Sequence, residues 1–292
     1  MEKSVKAYAK INLHLDVTGI RDDGYHSVET VMQSLSLCDD VSVALTDDGS
    51  VCAKCNIEGL PEDDRNIAVR AAKLYLEEIG SNKGAFIQIE KRIPMAAGLA
   101  GGSADAAATL LALNSLFDNA LSEERLLELG SRLGADVPFC IVCGTKYSDG
   151  KGDILHNFPK LDEDVVFIVA CGGEGVSTPW GYRLLDERFN KFEEYTPVGC
   201  ESLKKAVSEG NSLDFAKHTF NIFEAPVIAE RPVARQLIDL LIKCGATVAR
   251  MSGSGPSVFG VFESRESAKA ALSKLSGVEC FACICTPVGE RN

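Results

Sequence analysis

A glycine-rich segment directly before a predicted helix is the part of this sequence best suited to binding an anion. Residues 93–105 have the sequence IPMAAGLAGGSAD, and the Ala- and Leu-rich stretch 106–117 that follows contains no Gly or Pro. A helix that begins here presents free backbone N–H groups and the positive end of its dipole among small side chains. This arrangement favours phosphate. The same pattern also fits a tight strand-to-helix turn with positive φ angles, so both interpretations stay open.

The glycine spacing does not match two common phosphate motifs. Gly98, Gly101 and Gly102 do not fit the G-x-G-x-x-G pattern of dinucleotide-binding folds. No Gly-Lys-Ser or Gly-Lys-Thr follows them, as it would in a Walker A loop. A phosphate bound here therefore needs positive charge from another part of the chain.

Two charged residues outside the loop are candidates for chemistry. Lys10 and Asn12 lie on the polar face of a predicted strand, residues 5–17, whose other face is apolar and is expected to be buried. A solvated strand face is the alternative for both. Asp136 follows a helix that is predicted to end at Gly134, and it precedes an apolar segment predicted as a strand. A carboxylate gains nothing from the negative end of a helix dipole, so a functional role competes with that of a turn residue.

Composition and charge limit the class of protein. The chain has 292 residues with 46% hydrophobic and 25% charged residues, which is ordinary for a globular protein. Its net charge of −12 argues against a non-specific nucleic-acid binder. We find no apolar signal core at the N-terminus and no apolar run long enough to cross a bilayer. We therefore expect a soluble, cytoplasmic protein.

The eleven cysteines have two possible explanations. An odd number without a secretion signal argues against a disulfide framework. Three Cys-x-x-C spacings, at Cys52, Cys140 and Cys280, allow either a zinc site or thiols that pack as small hydrophobic groups. Cys140 and Cys143 lie in an apolar run and are predicted to belong to the core.

Strands and helices occur in both halves of the sequence, on either side of a predicted boundary near residues 157–163. We divide the chain into domains 1–160 and 161–292. Predicted strands are 5–17, 27–37, 40–45, 85–90, 165–170, 247–251, 258–262 and 280–286. Predicted helices are 67–76, capped by Asn66, then 106–117, 121–134, 201–208, 213–220, 233–243 and 264–275.

The strand with Lys10, the central glycine loop and a late Gly-Ser-Gly loop at residues 253–255 together resemble the GHMP kinases. This family of small-molecule kinases includes galactokinase, homoserine kinase and mevalonate kinase, and its central motif is P-x-x-x-G-L-G-S-S-A-A. The matching residues are Pro94, Met95, Ala96, Ala97, Gly98, Leu99, Ala100, Gly101, Gly102, Ser103 and Ala104. Ala100, Gly101 and Gly102 replace Gly-Ser-Ser, so Ser103 is the hydroxyl left for Mg²⁺ or phosphate.

Three further segments narrow the resemblance within that family. Residues 9–13, 19–26 and 129–139 are similar to the members that act on a cytidine diphosphate derivative of methylerythritol, an intermediate of non-mevalonate isoprenoid synthesis. The resemblance extends over nearly the whole chain and is most specific in the first 145 residues.

The resemblance implies both a fold and a reaction. The fold is α+β with two domains, the first related to ribosomal protein S5 with a left-handed crossover, and the active site lies in the cleft between them. The reaction is ATP-dependent phosphorylation of the 2-hydroxyl of this substrate, which we call CDP-methylerythritol, with Mg²⁺ as cofactor. ATP lies along residues 94–104.

The resemblance also implies roles for individual residues. Asp136 takes the proton of the acceptor hydroxyl, and Lys10 keeps that carboxylate charged and stabilises the transferred phosphoryl group. Asn66 and Lys91 are placed near the adenine of ATP. The residues expected to contact the acceptor are Asn12, Tyr25, His26, Met32, Thr178 and Tyr182.

Other hypotheses remain. A second one is a GHMP kinase for a sugar or for homoserine, against which the Tyr25-His26 pair argues. A third is a non-catalytic nucleotide-binding member, against which the retention of Lys10 and Asp136 argues. We expect small-molecule ligands, no nucleic acid and no membrane partner, while monomer and homodimer both stay open.

Overall fold

The computed structural model of the chain describes residues 1–192, 194–210, 213–275 and 277–291. Within these ranges the strands form two sheets. The first sheet consists of β1 (Glu2–Ile20), β2 (His26–Thr46), β3 (Val51–Cys55), β4 (Gly84–Glu90), β5 (Thr145–Asp149), β6 (Ile154–Asn157) and β8 (Phe220–Asn221). The second consists of β7 (Val166–Cys171), β9 (Val248–Met251), β10 (Val258–Phe262) and β11 (Phe281–Cys285).

Six of the described α-helices match predicted ones, whereas three, at residues 137–142, 178–189 and 224–230, were not predicted. The described α-helices are α1 (Ile67–Glu78), α2 (Gly101–Leu116), α3 (Glu123–Leu133), α4 (Val137–Val142), α5 (Thr178–Phe189), α6 (Glu201–Ser208), α7 (Glu224–Glu230), α8 (Pro232–Lys243) and α9 (Arg265–Leu275). Short 3-10 helices occupy Asn190–Phe192 and Asp214–His218. Among these described segments we find no helix with the length and apolar character needed to cross a membrane.

The first sheet is organised around two long antiparallel strands, β1 and β2. Its order is β3-β4-β2-β1-β8, and the hairpin β5-β6 pairs with the other end of β2. The two strands predicted at 27–37 and 40–45 are one continuous strand, because β2 pairs with β1 along its whole length through several register shifts. Such bulges let a long strand bend and face several neighbours in turn.

Both faces of β1 are buried from Ala9 to Val17, which corrects the prediction of one polar, accessible face. The residues of the predicted polar face, Lys10, Asn12, His14 and Asp16, are almost fully enclosed. The reason is that segments from the second half of the chain cover this face. For example, the Tyr195 hydroxyl and the Val198 N–H both donate to Asp16.

Local capping explains the helices that lead to the site. Asn66 caps α1, as predicted, because its Oδ1 atom accepts the Ala68 N–H at 3.0 Å. Ser122 caps α3 in the same way. Helix α2 begins at Gly101, five residues earlier than predicted, so the last glycines of the loop form its first turn.

The segment after Asp136 is helical, which corrects the predicted strand. Helix α4 begins at Val137, and Pro138 occupies its first turn, where a missing N–H is tolerated. Its apolar side chains are buried on nearly all sides, and a short apolar run of this kind does not distinguish a helix from a strand. Asp136 therefore lies in the tight connection between α3 and α4.

The two halves of the chain share a core. Ala9, Ile11 and Leu13 of β1 pack in one apolar cluster with Phe167 of β7 and Phe259 of β10. A separate cluster fills the space between the first sheet and helices α1, α2 and α4. A third lies between the second sheet and helices α8 and α9.

Parts of the second half also complete the first sheet. The stretch 213–220, predicted as a helix, is a 3-10 turn that leads into β8, which pairs in parallel with β1 at His14 and Leu15. Further along, Pro287 forms a bridge with Leu35, and Glu290 forms one with Cys143. The division of the chain at residue 160 stays a prediction.

Candidate active site

A cleft of about 1130 Å³ lies where the two halves meet. It is lined by the glycine-rich segment from Pro94 to Ser103, by the end of α3 and by residues of α5 and the β9–β10 loop. Nearly all predicted site residues line it, namely Lys10, Asn12, Tyr25, His26, Asn66, Lys91, Asp136, Thr178 and Tyr182. The fold thus brings these distant segments together.

The glycine-rich segment forms a loop and the first turn of α2. Three of its residues have positive φ angles, Ala96 (49°), Gly98 (76°) and Ala100 (56°). The N–H groups of Gly101, Gly102 and Ser103 belong to the first helical turn and have no partner within the helix. This turn contains no acidic residue, and no side chain caps it. These features fit the binding of a polyphosphate at the N-terminus of α2.

Gly98 is required by the close approach of another loop. A Cβ atom at this position would lie 2.3 Å from the carbonyl oxygen of Ser252. Both interpretations of the sequence therefore apply, because the loop makes a tight turn and also places the N-terminus of α2 at the cleft.

Lys10 and Asp136 form an ion pair at the edge of this loop. The Nζ atom of Lys10 lies 3.6 Å from Oδ2 of Asp136, and Lys10 is buried while Asp136 is partly open to the cleft. Lys10 also donates to Oδ1 of Asn12 at 2.7 Å, and the Asn12 amide donates to the hydroxyl of Thr30. These bonds fix the position of the ammonium group. The pair combines a proton acceptor and a fixed positive charge beside the anion-binding helix end.

Two aromatic rings and a carboxylate lie at the other end of the cleft. The His26 ring stacks on Tyr182 with centroids 4.4 Å apart, and its Nε2 atom lies 2.7 Å from Oδ1 of Asp186. Burial raises the pKa of Tyr182 to about 12, so its hydroxyl stays protonated at neutral pH. Sequence reasoning missed Asp186, whose spacing of one helical turn from Tyr182 was the available signal.

Tyr25 projects from the turn before β2. Its side chain is 61% exposed, and the Nζ atom of Lys151 lies 4.9 Å from the centroid of its ring. Lys151 belongs to the turn after β5 and also lines the cleft. An exposed ring beside a cation offers a surface on which a planar group can stack.

Lys91 lines the cleft but has its ammonium group in a buried cluster. Its Nζ atom lies 2.5 Å from Oδ2 of Asp39 and 2.7 Å from Oδ2 of Asp105. Asp39 also accepts the N–H groups of Arg92 and Ile93, which directly precede the glycine-rich loop. Burial, opposed in part by Lys91, raises the pKa of Asp105 to about 7. The cluster therefore holds the start of the loop against α2.

The side chain of Asn66 is likewise engaged in local structure. Its amide donates to the carbonyl of Pro61, in addition to the cap on α1. The predicted contacts of Asn66 and Lys91 with adenine stay predictions.

The structure does not support two of the predicted contacts. Met32 is completely buried in the core cluster beneath the first sheet and does not line the cleft. The strand places this side chain on the helix-covered face, away from the acceptor end. Ala104 is also buried, and its N–H bonds to the carbonyl of Ala100 inside α2. It therefore offers no group to a ligand in the cleft.

Among the described residues, the cysteines and the other side chains that could bind a metal ion do not form a site. All eleven cysteines are free thiols, and Cys140 and Cys143 lie in the core, as predicted. In the part of the chain that the structure describes, no three His, Cys, Asp or Glu side chains come close enough together to hold a metal ion. The zinc hypothesis therefore gains no support from these residues. Ser103 lines the cleft at the start of α2.

The sequence matches two models of one family. The model described as GHMP kinases N terminal domain matches residues 66–144, and that described as GHMP kinases C terminal matches residues 187–278. Both α2 and the glycine-rich loop lie in the first match.

Similar proteins extend the match to nearly the whole chain. A 4-diphosphocytidyl-2-C-methyl-D-erythritol kinase of Acetivibrio thermocellus is 42% identical over 280 residues, which cover 95% of this chain and 97% of the relative. The enzyme of the same name from Caldicellulosiruptor bescii is 39% identical over 274 residues and 93% of each chain.

Solved structures agree. A crystal structure of 4-(cytidine 5'-diphospho)-2C-methyl-D-erythritol kinase superposes with a TM-score of 0.80 at 32% identity, covering 97% of this chain and 99% of the other. A homoserine kinase from Cytophaga hutchinsonii, at 18% identity and a TM-score of 0.76 over 100% of this chain and 96% of the other, shares the fold. The predicted two-domain GHMP kinase fold is confirmed, and the chain belongs to the 4-diphosphocytidyl-2-C-methyl-D-erythritol kinase family of the GHMP kinases.

Proposed function

We propose that this chain phosphorylates the 2-hydroxyl of 4-diphosphocytidyl-2-C-methyl-D-erythritol with ATP, in the non-mevalonate route to isoprenoid precursors. The observation that supports this most directly is the Lys10–Asp136 ion pair in the cleft, next to the N-terminus of α2. Transfer of a phosphoryl group requires mainly positioning and neutralisation of charge, and these elements supply both.

Asp136 acts as the general base. Its carboxylate is the partly exposed member of the pair, so an acceptor hydroxyl in the cleft can reach it. The ammonium group of Lys10 lies beside it and stabilises the negative charge that develops as the hydroxyl oxygen attacks. Asn12 keeps the ammonium group in place through its 2.7 Å hydrogen bond and contacts the erythritol part of the acceptor.

The nucleotide binds along the glycine-rich loop. The first-turn N–H groups of α2 receive the phosphates, and the small side chains leave room for close approach. The adenine lies toward Asn66 and Lys91, where Leu60, Pro61 and Ile89 add apolar surface. When bound, MgATP supplies the transferred phosphoryl group and a divalent cation. Mg²⁺ keeps most of its water and needs few protein ligands, which suits Ser103 as a single hydroxyl donor.

The cytidine end of the acceptor binds at the opposite end of the cleft. His26 reads the edge of the pyrimidine while Tyr25 and Tyr182 offer stacking surfaces, and Thr178 contributes a hydroxyl beside Ser254. A cytoplasmic location is part of this proposal, because ATP is available there and the eleven thiols stay reduced.

The test supplies the purified enzyme with ATP and, separately, with 4-diphosphocytidyl-2-C-methyl-D-erythritol, galactose, mevalonate or homoserine. We expect ADP and a phosphorylated product, identified by mass spectrometry, with the first acceptor alone. Turnover of one of the other three instead would indicate another GHMP kinase activity. Binding of ATP without turnover of any acceptor would indicate a non-catalytic member.

A further inference from the structure

The loop between β9 and β10, residues 252–257, packs directly against the glycine-rich loop. A Cβ atom at Gly253 would lie 2.9 Å from the carbonyl oxygen of Gly98, and a Cβ atom at Gly98 would lie 2.3 Å from that of Ser252. The N–H of Ser257 also donates to the carbonyl of Ala97 at 3.2 Å. The two loops thus touch through their backbones, which requires glycine at both points of approach.

The hydroxyl of Ser252 connects this contact to β1. It donates to the carbonyl oxygen of Gly98 at 3.1 Å and accepts the N–H of Asn12 at 3.3 Å. Ser252 is completely buried, so water does not replace either bond. One hydroxyl therefore bonds both to the glycine-rich loop and to the strand that holds Lys10.

The residues bonded to Ser252 are close to the reacting groups. The Asn12 side chain accepts from Nζ of Lys10, and the backbone N–H of Lys10 donates to the carbonyl of Leu99. Ser252 itself does not line the cleft, so it reaches substrates only through these neighbours.

The β9–β10 loop is itself held firmly. The side-chain amide of Asn221, at the end of β8, donates to the carbonyls of Met251 and Gly253 at 2.7 and 2.9 Å. The N–H of Ser252 closes the loop by bonding to the carbonyl of Ser257. A fixed loop can set the position of both partners of the Ser252 hydroxyl.

We propose that Ser252 is a positioning residue that sets the distance between the glycine-rich loop and the Lys10–Asn12 segment. This inference rests on the proposed kinase reaction. Without the hydroxyl, the Asn12 N–H and the Gly98 carbonyl are buried without their partner, and one of the two segments shifts to satisfy them. A displacement of about 1 Å is enough to lower the rate of a transfer reaction on the order of 100-fold.

The experiment compares Ser252→Ala with Ser257→Ala, which removes a buried hydroxyl from the same loop that bonds to neither Gly98 nor Asn12. We expect kcat to fall about 10- to 100-fold in Ser252→Ala. The KM values for ATP and for the acceptor change less than threefold, and Ser257→Ala keeps the wild-type kcat. Ser252→Cys, which retains a weak donor of similar size, gives an intermediate kcat. All assays are run at temperatures well below the thermal unfolding midpoint of each variant, so that a loss of activity does not reflect unfolding.

Amide hydrogen exchange on the same variants tests the positioning directly, without any turnover. Exchange rises at residues 10–13 and 97–100 in Ser252→Ala and stays at the wild-type level in Ser257→Ala. If Ser252→Ala does not fold, Ser252→Cys is measured in its place. A kcat within twofold of wild type, or unchanged exchange in both segments, would overturn the inference. Absence of wild-type turnover would count against the proposed function alone, because the exchange measurement still decides the role of Ser252.

Discussion

The side chains of Lys10 and Asp136 lie 3.6 Å apart although they come from opposite ends of the first half of the chain. Lys10 is on the central strand β1, and Asp136 is in the short connection between α3 and α4. Their contact places a carboxylate beside a fixed cation at the edge of the glycine-rich loop. This relationship leads to the first prediction.

Replacing Asp136 by Asn removes the proton acceptor but keeps the size of the side chain. We expect kcat to fall by about 10²–10⁴, the usual contribution of a general base, while both KM values change little. Steady-state kinetics with ATP and the proposed acceptor measures this. The control is Asp164→Asn, because Asp164 is an exposed carboxylate that does not line the cleft. A near wild-type kcat in Asp136→Asn would exclude this residue as the base.

Asp186 should matter for binding of the acceptor alone. Its carboxylate lies 2.7 Å from Nε2 of His26 and fixes the orientation of that ring. In Asp186→Asn we expect the KM of the acceptor to rise about tenfold, the effect of replacing the charged hydrogen-bond partner of His26 by a neutral one, with the KM of ATP unchanged. The control is Asp149→Asn, because Asp149 pairs with His156 at 3.0 Å on the surface. A rise in the KM of ATP of equal size would contradict a local role.

Lys91 should be essential for stability. It is the cation between the buried carboxylates of Asp39 and Asp105, and its removal leaves buried negative charge on this pair without compensation. Lys91→Met should lower the free energy of unfolding by about 3–5 kcal/mol, measured by urea denaturation. Lys83→Met, which breaks the exposed pair with Asp47, should cost little because solvent screens surface pairs. Equal losses in the two variants would show that burial of the Lys91 cluster is irrelevant.

Replacing each of two glycines of the glycine-rich segment by alanine should change the stability of the protein by very different amounts. At Gly98 a Cβ atom meets the Ser252 carbonyl at 2.3 Å and φ is positive, so Gly98→Ala should destabilise the protein by about 1–3 kcal/mol. At Gly102 the nearest atom is 3.6 Å away and the position is exposed, so Gly102→Ala should stay within about 0.5 kcal/mol of wild type. Thermal unfolding compares the two. A stable Gly98→Ala variant would mean that the two loops can separate at no cost.

Burial of His14 should make the protein less stable in acid. Both ring nitrogens are enclosed without a hydrogen-bond partner, and burial lowers the pKa of His14 below its ordinary value of 6.5, although Glu29 and Asp16 act in the opposite direction. Below pH 6.5 the unfolded chain binds a proton that the folded chain does not, so stability falls as pH falls toward the folded pKa. The slope is at most about 1.4 kcal/mol per pH unit.

Urea unfolding at pH 7.5, 6.5 and 5.5 tests this in wild type and in His14→Leu. The variant lacks the titrating ring, so its stability should decline less over this range. Parallel pH dependences in the two proteins would show that His14 contributes nothing to the acid sensitivity.

The glycine-rich loop and the helix after it could be predicted from the sequence because they are local. A strand, a glycine-rich loop and a helix follow one another directly, so the order of residues implies a helix N-terminus at the end of that loop. The cap that Asn66 makes on α1 could be predicted for the same reason, because it involves only neighbouring residues. The helix start was misplaced by five residues because glycines were taken as loop, whereas the first helical turn accepts them.

The residues predicted to contact the acceptor come from distant segments, so their positions depend on contacts that the sequence does not indicate. Met32 was assigned to the site, but the pairing of β2 turns its side chain into the core. The hydrogen bonds of the Asp186 and Ser252 side chains go to distant parts of the chain, and no motif surrounds Asp186. The short helix after Asp136 was missed because a buried apolar run of six residues has no periodicity to distinguish it.

The order in which the chain is synthesised conflicts with the order in which its first sheet is completed. That sheet takes β8 from residues 220–221, and the stretch Pro287–Arg291 bonds to β2 and to the end of α4. A ribosome therefore releases the lysine and aspartate of the ion pair long before the residues that finish their sheet emerge. The first sheet of the nascent chain therefore stays incomplete until the stretch Pro287–Arg291 has left the exit tunnel.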